Sequence, residues 1–245
     1  MKFSWMFVLL FVALLLPGGV LAKNNKKVQF TDTFPIAECQ FSPTGSNPYF
    51  RLQENKVLKF DNWQCFAEGG CDAFEELTIT VTSETKLIEF ELDGEMIVVN
   101  ARVVREDESA DGLFVEESQN FYAECVGTQD VYYFGEDVVV ADGSHPGQWV
   151  VGENGALPGI IFPGGAFVLG ARYFQEIAEQ DGALDRAEHV EMGLELNLPA
   201  GTFPNCVKIN ETTPLEKRGL SEKWYCRDVG LVGDGDLKLI EVVQP

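Results

Sequence analysis

The sequence predicts a mainly β protein: an antiparallel, strongly curved sheet or half-barrel with little helix, held by disulfide bonds. Three observations support this fold class. Apolar and polar residues alternate with a period of two along most of the chain from residue 76 onward. Turn signals recur about every ten residues. The chain also has six cysteines, an even number. A closed barrel and a two-sheet sandwich fit the same pattern and remain alternatives.

Residues 1–22 are typical of a signal peptide. Lys2 supplies a positive charge, and Trp5 to Leu16 form an apolar run that is too short to span a bilayer. Val20 and Ala22 are the small residues expected at a cleavage site. An uncleaved N-terminal anchor is the alternative. We therefore expect a secreted or periplasmic protein with no membrane span after signal cleavage.

The remaining chain, residues 23–245, is expected to form a single β domain. Residues 23–75 lack a clear period and carry several cysteines, so they are expected to be an irregular, disulfide-containing N-terminal part. Residues 76–245 are expected to form the antiparallel sheet.

The composition is strongly acidic. Asp and Glu number 39 against 18 Lys and Arg, which gives a formal net charge of −21. Such a surface repels phosphate backbones and anionic lipid headgroups, so nucleic acid is not an expected partner. The 45% of hydrophobic residues is enough for a packed core and argues against disorder.

The cysteines are expected to form structural disulfides because the chain is expected to fold in an oxidising compartment. Cys65 and Cys71 bracket a short loop whose glycines allow a tight return. Cys206 and Cys226 lie on two strand-like runs that a turn joins. The remaining pair, by elimination, is Cys39 with Cys125. Sequence alone does not choose among the full set of pairings, and the spacing of a zinc site is absent.

The strands can be assigned in order. Leu77 to Thr82 alternates cleanly, and the alternation continues to a type I′ hairpin signal at Asp93-Gly94. Met96 to Val104 is the partner strand, whose denser apolar content predicts burial on both faces. Asp111-Gly112 turns the next hairpin. The further predicted strands are Leu113–Val115, Asn120–Val126, Val131–Phe134, Val138–Ala141, His189–Leu198, Cys206–Ile209 and Trp224–Val232, with Gln148–Val151 and Leu237–Val243 as candidate edges.

The period of two breaks between Gly152 and Gly170. This segment is rich in glycine and proline, which do not sustain a central strand, so it is expected to be an unusually apolar loop at the mouth of a concave sheet. Its apolar side chains either bind a ligand or plug the open end of the sheet. The side chains assigned to the ligand are Leu157, Ile160, Ile161, Phe162 and Phe167.

Five short segments resemble the ordered landmarks of a group of uncharacterised secreted bacterial proteins. They are Asn47–Leu52 (beginning NPYF), Tyr132–Asp137 (YYFGED), Gly155–Ile160 (GALPGI), Pro199–Phe203 (PAGTF) and Val229–Val232 (VGLV). The PAGTF turn is also similar to that of DUF3108-type periplasmic proteins, whose curved sheet is similar to the lipoprotein-carrier half-barrel. The resemblance implies a fold and carries over no catalytic residue.

Known catalytic and cofactor motifs are absent. The chain has no Gly-x-Ser-x-Gly elbow and no glycine-rich nucleotide cradle, and its two histidines lie far apart in sequence. No cofactor is expected apart from calcium, for which Asp181 with Asp185, or Glu136 with Asp137, are the candidate ligands.

Three functions remain open at this point. The leading hypothesis is a non-enzymatic β protein that binds a small apolar molecule or an envelope protein. The second is an extracellular hydrolase with a carboxylate pair in one cleft and a raised pKa on one member. The third is a structural envelope-interaction protein without a small-molecule site.

Overall fold

The computed structural model describes residues 28–216 and 219–245. The expected signal peptide lies outside the described residues. The elements in chain order are β1 (Phe41–Ser42), β2 (Val57–Asp61), α1 (Trp63–Ala67), β3 (Glu75–Leu92), β4 (Glu95–Ala110), β5 (Leu113–Cys125), β6 (Val131–Val140), β7 (Trp149–Val150), β8 (Leu157–Phe162), β9 (Arg172–Phe174), β10 (Glu176–Ile177), β11 (Arg186–Leu198), β12 (Gly201–Thr212), β13 (Ser221–Cys226), β14 (Gly230–Asp234) and β15 (Leu237–Val243), with short 3-10 turns at Ile36–Glu38 and Glu179–Asp181.

The strands form one antiparallel sheet that is nearly closed into a barrel, which confirms the predicted β class. Along the sheet the order is β10, β8, β6, β5, β4, β3, β2, β15, β14, β13, β12, β11 and β9. The last and first strands of this order, β9 and β10, are separated in the chain only by Gln175. Because β9 pairs with β11 and β10 pairs with β8, this single segment joins the two ends of the sheet.

The long hairpins form where local turn chemistry demands them. Asp93 and Gly94 both have positive φ, as do Asp111 and Gly112, which is the geometry of a two-residue type I′ turn. These turns connect β3 to β4 and β4 to β5 in the expected places. The predicted burial of β4 on both faces is wrong for its first part, because Val98 is 54% exposed and only residues 101–104 are buried in succession.

The predicted loop from Gly152 to Gly170 is wrong for residues 157–162, which form β8 between β6 and β10. Pro158 lies next to the start of this strand and outside its ladder with β6, so its missing N–H costs no hydrogen bond there. Gly159 lies under the closing segment, where an added Cβ would be 2.5 Å from the carbonyl oxygen of Gln175. Residues 163–171 do form a loop.

One of the links between the N-terminal segment, residues 28–56, and the barrel is the buried side-chain amide of Asn47. Asn47 donates from Nδ2 to the carbonyl oxygens of Gln129 and Pro163, at 2.9 and 3.2 Å. Its Oδ1 accepts from the backbone N–H groups of Tyr49 and Phe50. The NPYF landmark is therefore a structural turn that directs Phe50 toward the barrel interior.

The three predicted disulfides are confirmed. Cys39 bonds Cys125, Cys65 bonds Cys71, and Cys206 bonds Cys226 across the β12–β13 ladder. The first joins the N-terminal segment to the end of β5.

Among the described residues, no helix has the length and apolar content needed to cross a membrane.

Candidate functional site

A cavity of about 90 Å³ lies inside the barrel, and we refer to it as the interior cavity. Inward-facing residues of β2, β3, β4, β5, β8, β13 and β14 surround it, together with the segment from Phe50 to Lys56. Its lining is Phe50, Arg51, Lys56, Leu58, Ile79, Val81, Val104, Glu106, Tyr122, Ile161, Lys223, Tyr225, Val229, Gly230, Leu231 and Asp234. This set combines an apolar wall with five charged side chains.

The apolar wall follows from strand register. Leu58 of β2 pairs with Ile79 of β3, and Val81 pairs with Val104 of β4, so alternate residues of adjacent strands face the same space. The ring of Phe50 meets Tyr122 edge-on at 5.0 Å and lies 6.4 Å from Tyr225. The aromatic rings therefore form one side of the interior cavity.

Glu106 is the acidic group without a partner. It lies two residues after Val104 on β4 and lines the cavity, half-buried, and its carboxyl makes no hydrogen bond or ion pair with any residue in the described ranges. Burial raises the pKa of Glu106 to about 7, opposed by the positive charge of Lys223 and reinforced by Glu108 and Asp234. Near neutral pH this carboxyl is therefore poised between its two protonation states.

Lys223 belongs to a satisfied ion network beside Glu106. Its Nζ lies 2.9 Å from Glu211 Oε2 and 3.3 Å from Asp234 Oδ2. Ser221 Oγ donates to Asp234 Oδ1, and Gln175 Nε2 donates to Glu211 Oε1 at 2.6 Å. Burial alone lowers the pKa of Lys223, but Glu211 and Asp234 raise it well above its usual value. Lys223 is thus committed to these carboxylates and leaves Glu106 without a direct counter-ion.

A second charged group, Lys56, faces the cavity from the turn immediately before β2. Lys56 is 2% exposed, and its Nζ donates to the carbonyl oxygen of Val229. Burial and the positive charge of Arg51 together lower the pKa of Lys56 to about 8, against the opposing charge of Asp228. Arg51 itself pairs with Asp228 through Nη2, whereas its Nε has no hydrogen-bond partner.

A polar cluster on the inner face of β5 and β6 lies outside the lining of the interior cavity. Tyr133 Oη contacts both Asn120 Oδ1 and Glu136 Oε2, the latter at 2.9 Å. Burial raises the pKa of Glu136 to about 7, an effect that the Tyr133 hydrogen bond opposes. The hydroxyl of Tyr133 has one hydrogen but two acceptor neighbours. When Glu136 is protonated, its O–H donates to the Tyr133 oxygen and the Tyr133 hydroxyl donates to Asn120 Oδ1, so both contacts are hydrogen bonds.

Of the five residues assigned to a ligand from the sequence, the structure places only Ile161 on the interior cavity. Phe162 is fully buried against Tyr225, and Ile160 is buried in the core. Leu157 is 38% exposed. Phe167 stacks on His189 with ring centroids 3.9 Å apart, outside the cavity lining.

His189 holds the loop after β8 against the sheet. Its Nδ1 lies 3.1 Å from the carbonyl oxygen of Val168, and its Nε2 lies 3.0 Å from Tyr173 Oη. Burial lowers the pKa of His189 to about 4, so the ring is neutral, with Nδ1–H donating to Val168 and Nε2 accepting from Tyr173. Phe167 is thereby held against the sheet, whereas the neighbouring Val168 and Leu169 are exposed.

The candidate calcium ligands are dispersed. Glu136 bonds Tyr133 on the inner face, whereas the adjacent Asp137 pairs with Lys86 at 3.0 Å. Asp181 accepts a hydrogen bond from Asn154. Within residues 28–216 and 219–245 the one three-residue group with metal-ligand spacing is Cys65, Cys71 and Asp236, whose two sulfurs are already joined in a disulfide.

Sequence reasoning missed Lys56, Glu106 and Lys223. The signal for Glu106 was present in the sequence. The Asp111-Gly112 turn extends β4 to Ala110, and because side chains alternate along a strand, Glu106 lies on the same face as Val104, toward the interior. Lys56, beside β2, and Lys223, within β13, carry no such signal, because lysine side chains are usually exposed.

Comparison of the chain with protein-family models, with curated proteins and with solved structures finds no match.

Proposed function

We propose that this protein is a secreted or periplasmic, non-enzymatic binding protein that holds a small ligand in the interior cavity. The observation that carries the proposal is the pair of charged groups, Lys56 and Glu106, that face one cavity and make no ion pair with a residue that the structure describes. Burying an unpaired ionisable group costs several kcal/mol. A ligand that supplies the missing partners would offset this cost.

The size and lining of the cavity restrict the ligand. An engineered apolar cavity of about 150 Å³ admits benzene, and the interior cavity is smaller, at about 90 Å³. The ligand is therefore a molecule of a few heavy atoms with polar groups and a short apolar body. This proposal replaces the expected purely apolar ligand by a polar one and moves the site from the Gly152–Gly170 segment to the barrel interior.

The compartment is part of the proposal. Three disulfides are typical of proteins that fold in an oxidising environment. The signal-peptide pattern in residues 1–22 points to the same compartment. N-terminal sequencing of the protein made in an exporting host is expected to start at Lys23, and recovery of Met1 in the mature protein would contradict export with cleavage.

The binding function is tested by filling the cavity. Purified protein is analysed by native mass spectrometry for a bound small molecule, which denaturation then releases for identification. Val104→Phe places a ring in the interior cavity, and its expected result is loss of the bound molecule. Val98→Phe, at an exposed position nearer the start of the same strand, is the matched control and is expected to retain it. A Val104→Phe protein that folds and keeps the same molecule would disprove this site.

A second candidate function is the carboxylate-pair hydrolase, because Glu106 and Glu136 both have raised pKa values near 7 on the inner face of the sheet. It predicts hydrolysis of glycosides or esters with a pH profile set by both groups. A panel of chromogenic glycosides and esters tests it, with Glu136→Gln as the variant expected to lose activity. Turnover that Glu136→Gln retains, or no turnover on any substrate, counts against the hydrolase.

A further inference from the structure

We infer that the ligand of the interior cavity is a small zwitterion of the amino-acid class, whose carboxylate contacts Lys56 and Arg51 and whose ammonium contacts Glu106. The inference rests on the proposed binding function and names its ligand class.

The two charged ends of the cavity are spatially separate. Lys56 is level with Val81 of β3, whose N–H bonds the Lys56 carbonyl oxygen, whereas Glu106 pairs with Ile79 two residues away. Two strand spacings and two residues of rise put the Cα atoms of Lys56 and Glu106 about 12 Å apart. The charged groups that perturb Lys56 are Arg51 and Asp228, and none of them is among those that perturb Glu106. The two ends therefore do not neutralise each other.

The cationic end has free donors for an anion. The Lys56 ammonium has three hydrogens, and its one hydrogen bond within the described residues goes to the Val229 carbonyl. Arg51 adds an Nε–H that is buried and unpartnered. Both side chains line the interior cavity. A carboxylate there accepts charge-assisted hydrogen bonds from two different residues.

The anionic end has the features of an ammonium site. Glu106 offers a carboxyl without a hydrogen-bond partner in the described ranges, next to Asp234. The rings of Tyr122 and Tyr225 line the same cavity. An ammonium beside a carboxylate and aromatic rings gains both ionic and cation–π attraction. Lys223 does not fill this place, because Glu211 and Asp234 already hold its Nζ.

The wall between the two ends is apolar, with Leu58, Ile79, Val81 and Val104 side by side. It suits the short hydrocarbon body of an amino acid. A ligand with only a negative charge would leave Glu106 without a counter-ion. A ligand with only a positive charge would leave Lys56 without one. A zwitterion satisfies both groups at once.

Titration calorimetry on the full disulfide-bonded protein tests this inference, after unfolding, dialysis and refolding without reductant to remove bound molecules. The zwitterions are alanine, β-alanine and 4-aminobutyrate, which differ in the separation of their charges. Propionate and propylamine each carry one of the two charges. We expect at least one zwitterion to bind ten-fold or more tightly than either single-charge compound.

Two outcomes overturn the inference and are distinguishable. If propionate or propylamine binds as tightly as every zwitterion, the ligand class is wrong but the binding function stands. If none of the compounds binds and native mass spectrometry finds no other small molecule, both the inference and the proposed function fail.

Variants assign the two ends. Lys56→Met is expected to weaken the binding of the zwitterions and of propionate at least ten-fold and to leave the binding of propylamine unchanged. Glu106→Gln is expected to weaken the binding of propylamine at least ten-fold and to leave the binding of propionate unchanged. The matched controls are Lys59→Met, an exposed lysine of β2, and Glu95→Gln, an exposed glutamate of β4, both expected to bind as the wild type does. Equal losses with propionate and propylamine in either variant would contradict the assignment. If a variant fails to fold, the wild-type compound series still decides the ligand class.

Discussion

Arg102 is a buried cation whose role is structural. It is 2% exposed, and its guanidinium donates to the carbonyl oxygens of Pro43 and Thr82 and to Glu54 Oε1. These acceptors belong to the N-terminal segment and to the irregular part of β3. One side chain therefore joins the N-terminal segment to the barrel.

Replacing this guanidinium is expected to be costly. Arg102→Met leaves buried carbonyl oxygens without donors, so we expect the free energy of unfolding to fall by about 3 kcal/mol. Urea denaturation measures the change. Arg105→Met is the matched control, since Arg105 lies on the same strand but is exposed, and it is expected to change stability by less than about 0.5 kcal/mol. Similar losses in both variants would contradict this role for Arg102.

At the level of residues, the sequence predicted the disulfide pairs better than the charged residues of the interior cavity. The pairing of Cys65 with Cys71 follows from a short loop and that of Cys206 with Cys226 from facing strands, both local features. The ammonium of the buried Lys56 donates to the carbonyl of Val229, a residue distant in the chain. Such a contact between remote segments leaves no mark on the local sequence.

Among the elements, β8 shows how barrel closure overrides local propensity. Gly159 is required because the closing segment passes directly over it, and a Cβ would lie 2.5 Å from backbone atoms of Phe174 and Gln175. The hairpins at Asp93-Gly94 and Asp111-Gly112 were predictable because the turn residues themselves fix the geometry. The strand at residues 157–162 was not predictable, because its pairing with β10 and its need for Gly159 both depend on a contact that exists only when the sheet closes.

The closing contact gives a prediction for β8. Gly159→Ala is expected to lower the free energy of unfolding by about 2 kcal/mol or more, because the backbone it would strike has little room to move. Hydrogen exchange of the β9 and β10 amides is expected to accelerate. Gly127→Ala is the control, because Gly127 has open space around its Cα and ordinary φ. Unchanged exchange in β9 and β10 of the Gly159→Ala variant would argue against closure through this segment.

The disulfides are expected to differ in their contribution. Cys39 and Cys125 are 86 residues apart in sequence, whereas Cys65 and Cys71 are only 6 apart. Since a longer closed loop restricts the unfolded chain more, replacing the first pair by serine is expected to cost about 2–5 kcal/mol and replacing the second pair distinctly less. Guanidinium denaturation of the two double variants gives the comparison. The reverse order would show that strain or unfolded-state structure dominates.

For the molecule as a whole, carboxyls with raised pKa values reverse the usual acid sensitivity; they include the half-buried Glu106 and Glu136 and the buried Glu176. Glu106 and Glu136 have pKa values near 7 when folded against an ordinary value of 4.5. Between these pH values the folded state binds more protons than the unfolded state, so the free energy of unfolding falls as pH rises. His189, with its pKa lowered to about 4, acts in the opposite direction between pH 4 and 6.5 but is a single group.

The ligand-free protein is therefore expected to be more stable at pH 5.5 than at pH 7.5, by about 2 kcal/mol after solvent screening. Urea denaturation at the two pH values measures this difference. The Glu106→Gln/Glu136→Gln double variant is expected to lose part of it, because neither amide titrates, whereas Glu176, whose pKa burial raises well above its usual value, still does. A wild-type protein that is more stable at pH 7.5 would contradict the burial of these carboxyls in the absence of a counter-ion.

The position of β15 has a consequence for biosynthesis. This strand, residues 237–243, pairs with β2 near the start of the described chain and lies in the interior of the sheet order. A nascent chain that lacks these residues leaves β2 and β14 each with an unpaired border, so the barrel cannot be completed during elongation. Closure of the sheet must wait until residues 237–243 have emerged, and a stop codon before them would yield two open half-sheets prone to associate with other chains.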